Sequence, residues 1–441
     1  MSTEGELVES SILSVEVEDL FGFINYKLPI FDESSVYSNI SLLYGENGAG
    51  KTTIMRLIYA CLSYRAEGMR AEIAKVIFKR FAINLKGGAK IEAARREATN
   101  GSYRLTCFLP DGSEEFYFRA EGAKDDNTIR PNGLSDYRKM LRSTGVDITF
   151  LSETRTSLST LPDLRIRRGI QEVELDSERP YSAGSRTKQR SELDVRFVAT
   201  AVFNKYQDQI FERSKQGQLS ANSIYIDLAK RIAAPFSDQE FGLDANKLNH
   251  ELDELEVKSR PALAFGALSP LPYAELREIL GSAPESRKSD VLQILQPFIE
   301  SARARLNAVS AATDSLSLLL NELNSFFSRK KLTFDARKGF ALIVNERNSM
   351  PLTEMSSGEK HLFILLGLAF MSRGTRSVFL IDEPELSLNV LWQRRLPRTL
   401  LRLVDGEDVQ FIMATHSLEI LTEFRERICE LEEHQWPRVE I

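Results

Sequence analysis

Apolar and acidic residues alternate from Ile12 to Val17, the period-two pattern of a strand with one buried face, and a second extended stretch follows at Phe21 to Ile30. The short run Ile40-Ser41-Leu42-Leu43-Tyr44 leads straight into glycine. Val146 to Leu151, Val378 to Ile381 and Val409 to Met413 are further apolar runs of the length that fills a buried sheet. In the middle of the chain the spacing changes, and residues from about Ser191 to Arg329 read as mostly helical. From Val291 the apolar positions fall at Leu295, Phe298, Ala302, Leu306, Val309, Ala312, Leu316, Leu319, Leu323 and Phe326, a single stripe along one helix. At about 1.5 Å per residue that helix runs roughly 50 Å, with a break expected near Pro297. A helix buried in a small bundle and a short coiled-coil hairpin or seam both fit the stripe. Lys331 to Phe334 and Phe340 to Val344 flank Ala336-Arg337-Lys338-Gly339, a hairpin signal. Strands at both ends and helices between them predict an α/β domain split by a mainly helical insertion.

A chain of 441 residues suits one large interrupted domain or two domains. The net charge of −6 argues against a protein that coats nucleic acid through bulk charge. One segment runs the other way: Arg65 to Arg104 holds ten Lys/Arg against four Asp/Glu, including Arg70, Lys75, Lys79, Arg80, Lys86, Lys90, Arg95 and Arg96. It reads either as a salt-bridged, solvated face or as a surface for DNA. Cys61, Cys107 and Cys429 are too widely spaced for a disulfide framework or a metal site. The N-terminus lacks the apolar core of a signal peptide, and no run is long enough to span a bilayer, so the expected location is cytoplasmic, with no membrane partner. Ser152 to Ser185, rich in Arg, Glu, Ser and Pro, reads as a surface linker.

Gly45-Glu46-Asn47-Gly48-Ala49-Gly50-Lys51-Thr52 has the spacing of a phosphate-binding loop, with an apolar strand before it and a helical pattern opening at Thr53. Glycines let the backbone turn its N–H groups toward phosphate oxygens, and the N-terminus of the following helix adds positive charge. Lys51 is expected to reach the β- and γ-phosphates of ATP, Thr52 to ligate Mg²⁺, and Thr53 to complete the phosphate-binding set. The run Val378 to Ile381 ends in Asp382-Glu383-Pro384-Glu385. At the C-terminal end of a strand beside the loop, Asp382 is placed to hold Mg²⁺ and Glu383 to activate the attacking water.

Met355-Ser356-Ser357-Gly358-Glu359-Lys360 opens an apolar helix. Ser356 and Glu359 form a Ser-x-x-Glu capping box, which alone explains a helix start, yet the same geometry leaves N–H groups free for an anion. With the motifs in this order, the chain resembles ABC-type ATPases. Ser356, Ser357, Gly358 and Glu359 resemble that family's signature loop, which binds the γ-phosphate held by a second subunit. Met355 replaces the usual leucine and Ser357 the first glycine. His416, in Ala414-Thr415-His416-Ser417, resembles the switch histidine, and Glu385 to Asn389 the D-loop. The lid glutamine of the family is missing: no Gln occurs between Gly145 and Ile170, which leaves Ser152, Glu153 or Arg155 as substitutes.

Lys51 and Asp382 lie 331 positions apart, a split head that resembles structural-maintenance-of-chromosomes, RecF and OLD ATPases. The resemblance implies an ABC ATPase head, a P-loop sheet with an antiparallel N-terminal lobe. Residues 1–165 and 331–441 would form its two parts and 166–330 the helical insertion. The wording of the motifs is most similar to the ATPases of prokaryotic antiviral systems such as Septu, PARIS and retrons. It implies head-to-tail homodimers, or higher homo-oligomers, that hydrolyse ATP and regulate a separate effector, a nuclease encoded nearby. A RecF-like ATPase of DNA repair is the alternative, and DNA is a further candidate partner. No nuclease constellation is visible: His250, His361 and His434 carry no recognisable site, and 25 residues after His416 leave no room for a Toprim domain.

Overall fold

The computed structural model describes residues 11–30, 39–64, 72–109, 112–118, 134–143, 146–153, 157–159, 195–213, 245–344 and 348–432. They fall into two compact units. One holds the described residues up to 159 together with those from Met371 onward; the other holds those from Val195 to Phe370.

The first unit is built on two sheets. β1 (Ile12–Leu20), β2 (Ile24–Pro29), β4 (Phe78–Leu85), β5 (Lys90–Thr99), β6 (Tyr103–Leu109) and β7 (Gly112–Phe118) form an antiparallel sheet in the order β2-β1-β4-β5-β6-β7. β3 (Ile40–Tyr44), β8 (Val146–Leu151), β9 (Ser157–Ser159), β13 (Arg376–Asp382), β14 (Val409–Ala414) and β15 (Ile428–Glu430) form the second, in the order β15-β3-β14-β13-β8-β9. Its strands are parallel except β9. The all-apolar runs became its centre, because a parallel strand covered on both faces has no polar side to show. β14 separates β3 from β13, so the Asp382 strand is a next-but-one neighbour of the strand feeding the phosphate-binding loop. The helix Lys51–Leu62 shares one buried cluster with both sheets: Ile54 and Ile58 lie in it with Val15 and Phe81, and with Ile148 and Ile412.

Three of the basic residues, Arg80, Lys90 and Arg95, are engaged within the antiparallel sheet. Arg80 pairs with Glu16, Glu18 and Glu92; burial alone would raise the Glu92 carboxyl, but hydrogen bonds from Lys90 and Arg80 hold it below its usual range. The Arg95 guanidinium lies 4.0 Å from the Phe78 ring centre and donates to the carbonyls of Ile73, Val76, Phe78, Thr99 and Gly101. Lys75 pairs with Glu72 and Lys90 with Glu92. Lys79 and Arg96 are exposed, and Arg70 lies outside the described residues. The salt-bridged reading accounts for Lys75, Arg80 and Lys90. All three cysteines are buried, and none is joined in a disulfide.

In the second unit the helix Lys288–Phe326 continues through Pro297 instead of breaking there. Proline in a helix interior costs about 3 kcal/mol, whereas each fully buried aliphatic side chain contributes about 1.5–3 kcal/mol. Leu292, Leu295 and Ile299 are buried on either side of Pro297 against the helices Ala245–Ala264 and Tyr273–Ser282, so the packing outweighs the lost hydrogen bond. The stripe is thus used within a helical bundle. The expected hairpin is present as β10 (Lys330–Asp335) and β11 (Gly339–Val344), joined by β12 (Asn348–Met350). Asp335 Oδ1 accepts from the N–H groups of Arg337 and Lys338 and sets the turn. Gly367, in the apolar helix Ser357–Ser372, has a packing reason: a Cβ there would stand 2.6 Å from Val198 Cγ1.

Candidate active site

The loop after β3 ends at Gly50, whose φ of +92° an L side chain tolerates poorly; an added Cβ would also stand 3.0 Å from Leu20 Cδ2 and 3.2 Å from Phe21 Cε2. The chain enters its helix at once, with Ile54 N bonded to Gly50 O, so the N–H groups of the first turn have no helical partner and face the cradle. Tyr26, on β2, steadies the loop by donating from its hydroxyl to Ala49 O at 3.0 Å. Lys51 is 7% exposed and folds back to donate from Nζ to the carbonyls of Gly45 (2.8 Å) and Glu46 (3.2 Å). Burial lowers its pKa, against the upward pull of Glu383, Asp382 and Glu385. Those carboxylates are thus electrostatic neighbours of the loop, as the order of β3, β14 and β13 requires.

Asp382 ends β13 and is 3% exposed. Burial raises its pKa, offset by a hydrogen bond from Thr52, and its Oδ2 is buried without a partner. An orphaned carboxylate oxygen beside a threonine hydroxyl is a donor set that suits a hard cation. Among the described residues no group of three or more His, Cys, Asp or Glu could cage a metal. Thr52 and Asp382 are the residues that would hold Mg²⁺, a cation that usually takes only one or two protein ligands beside phosphate oxygens and water. Glu153, just beyond β8, carries a charge that pushes Asp382 further up; Arg155 lies outside the described residues.

Glu383 takes a φ of +52°, a strained backbone for a side chain of this size, and its N–H extends the β13–β14 ladder to Ala414 O at 2.8 Å. The turn aims its carboxyl at Glu385 and at His416, whose Nε2 lies 3.7 Å from Glu383 Oε1. Burial first, then the hydrogen bond and charge of Glu385, push Glu383 up to about 8. Such a group holds and gives up a proton near neutral pH, as a general base must.

Sequence reasoning placed Glu385 in the D-loop but missed its role as organiser. Its Oε1 accepts from the backbone N–H groups of His416 (2.7 Å) and Ser417 (3.0 Å), which fixes the switch loop to the acidic turn. Gln393 adds a second tie: it donates to Leu388 O at 2.9 Å and accepts from Ser417 Oγ at 2.8 Å. Asn389 caps the helix Val390–Leu403 by accepting from Trp392 N. An acid two residues after Glu383, with a glutamine in the next helix, was the only available signal.

The structure thus brings Gly45 to Thr53, Asp382, Glu383 and His416 to one edge of the parallel sheet. Ser356, Ser357, Gly358 and Glu359 lie in the other compact unit. There the capping box is formed: Ser356 N donates to Glu359 Oε2 at 2.6 Å, and Glu359 N to Ser356 Oγ at 3.3 Å. Lys330 pairs with the same carboxylate at 2.8 Å. Burial alone would raise the Glu359 pKa, but these partners hold it below the usual value. The Glu359 side chain is committed to the helix start, whereas Ser356 and Ser357 are exposed.

A family model described as "AAA domain, putative AbiEii toxin, Type IV TA system" matches residues 40–422. No curated protein matches significantly. Similar solved structures include the Smc head domain of Pyrococcus furiosus with an extended coiled coil, bound to the C-terminal domain of ScpA. It is 14% identical over 93% of this chain and 91% of that one, with a TM-score of 0.40. An Smc head bound to the winged-helix domain of ScpA is 12% identical over 93% and 92%, at 0.36. The Smc head of Pyrococcus yayanosii is 14% identical over 93% of both chains, also at 0.36.

Proposed function

We infer that this chain is an ATPase of the ABC type, because it belongs to the family described as AAA domain, putative AbiEii toxin, Type IV TA system, and its motifs resemble those of ABC ATPases. It binds ATP with Mg²⁺ and hydrolyses it to ADP and phosphate. The observation that carries this reading is Asp382, buried against Thr52 with one oxygen unpartnered, next to a base raised to about 8.

On this reading the N–H groups of the loop and helix start hold the phosphates, and Lys51 gives up its contacts to Gly45 and Glu46 for the β- and γ-phosphates. Thr52 and Asp382 hold Mg²⁺, which when bound neutralises phosphate charge. A water oxygen attacks the γ-phosphorus, Glu383 takes its proton, and the bond to ADP breaks. His416 donates to the γ-phosphate. Asp382→Asn should keep nucleotide affinity without magnesium yet lose the magnesium dependence of hydrolysis. An unchanged dependence would overturn the assignment.

The finer reading is that two copies complete each other's sites, Ser356, Ser357 and Gly358 of one facing the P-loop of the other. The motif resemblance supports it. So do the exposed apolar side chains Leu386, Val390, Leu391 and Leu418 around the catalytic edge, an unusual concentration for a surface that stays uncovered. The motif wording further supports control of a separate effector, a nuclease, in antiviral defence. Co-purification with a nuclease encoded nearby tests that; a chain that acts alone refutes it. The RecF-like alternative rests on the split head; tight, ATP-dependent binding to gapped DNA without a nuclease partner would favour it.

A further inference from the structure

The helix Val390–Leu403 presents Arg394, Arg395, Arg398 and Arg402 to a groove of about 800 Å³, lined also by Asn39 and Glu423. Asn39 directly precedes β3, and the lining residues Asp405 and Gly406 precede β14. The groove therefore reaches the N-terminal ends of strands whose C-terminal ends carry the phosphate-binding loop and His416. It is a separate feature from the catalytic edge.

Arg394, Arg398 and Arg402 recur every fourth residue, one helical turn apart, so the row spans about 12 Å. Glu423 organises two of them. It accepts from Arg394 Nε at 3.3 Å and pairs with Arg398, while its own side chain is 13% exposed against 65% and 56% for the arginines. A guanidinium carries five N–H donors, so one carboxylate fixes its orientation and leaves donors for an outside acceptor. Arg395 and Arg402 line the groove with Asp405, Arg402 also donating to Thr399 Oγ1 at 3.4 Å, in a chain of net charge −6. Leu401 and Val404 are the apolar lining residues, and no aromatic ring joins them.

We propose that this groove binds the phosphodiester backbone of duplex nucleic acid. A linear row of guanidinium forks matches a linear row of phosphates, which arginine recognises in bidentate fashion. The lack of an aromatic platform disfavours single strands, whose bases need a stacking partner.

The test uses the full chain with a non-hydrolysable ATP analogue and a short blunt-ended DNA duplex, followed by fluorescence anisotropy across a salt series. Replacing Arg394, Arg398 and Arg402 by Gln should weaken binding and flatten the slope of log affinity against log salt by about 0.9 per lost contact, about 2.7 in all. The single change Arg394→Gln, at an exposed side chain that cannot threaten the fold, should remove about 0.9. Glu423→Gln should preserve or raise affinity, because it removes a negative charge from the groove. An unchanged slope in the triple and single variants overturns the proposal, and so does displacement of the duplex by inorganic tripolyphosphate at equal concentration. Failure here leaves the Asp382→Asn result untouched, so the two readings fall separately.

Discussion

Arg95 decides what the basic segment is for, and Arg95→Lys separates the choices because it keeps the charge and removes the fork. The guanidinium reaches five carbonyls, Val76 and Thr99 at 2.7 Å, Ile73 at 2.9 Å, Gly101 at 3.2 Å and Phe78 at 3.3 Å. A lysine ammonium has three donors on one atom, so at least two of these carbonyls lose their partner. Leaving two of them unmade costs about 2–4 kcal/mol. Loss of the stack on Phe78 adds about 0.5–1 kcal/mol. A net cost of about 3 kcal/mol corresponds to roughly a hundredfold faster opening of β4 and β5, readable as amide hydrogen exchange of their peptides. Duplex affinity should not change. Unchanged exchange with weakened DNA binding would refute the reasoning and make Arg95 a phosphate contact.

Two further outcomes follow from the site. Without nucleotide, the Glu383 carboxyl titrates near 8 in the folded chain and near 4.5 when unfolded. Between those values the folded state binds more protons, so stability falls as pH rises from 4.5 to 8. Glu383→Gln should therefore melt higher than the wild type at pH 8, with the advantage shrinking toward pH 4.5; a pH-independent difference would contradict the assignment. Lys51→Ala and Ser356→Arg chains should each be nearly inactive, while their mixture recovers hydrolysis, since each mixed pair keeps one intact loop facing one intact signature. A mixture as inactive as either parent, after verified subunit exchange, would refute the shared site.

The loop Gly45 to Thr52, the acidic strand and His416 were legible as one cluster because each is a short local pattern, an apolar run followed by a distinctive polar segment. The sheet that joins them was legible in kind but not in order, since nothing in the run Val409 to Met413 says that it separates β3 from β13. The continuity of the helix at Pro297 was hidden because the compensating side chains come from the helices Ala245–Ala264 and Tyr273–Ser282, earlier in the chain. Arg95 looked like surface charge, and only the fold reveals that the carbonyls on either side of β5 converge on it. Glu385 was hidden for the same reason: its partners, the N–H groups of His416 and Ser417, lie 31 and 32 residues away.

The most direct measurement is steady-state ATP hydrolysis by Glu383→Gln alongside its ATP affinity. The carboxamide keeps the shape that packs against His416 and loses the base, so turnover should fall about a hundredfold or more while ATP still binds and the ATP-bound assembly accumulates. Near-normal turnover with normal affinity would mean that another group activates the water, and the account of this site would be wrong.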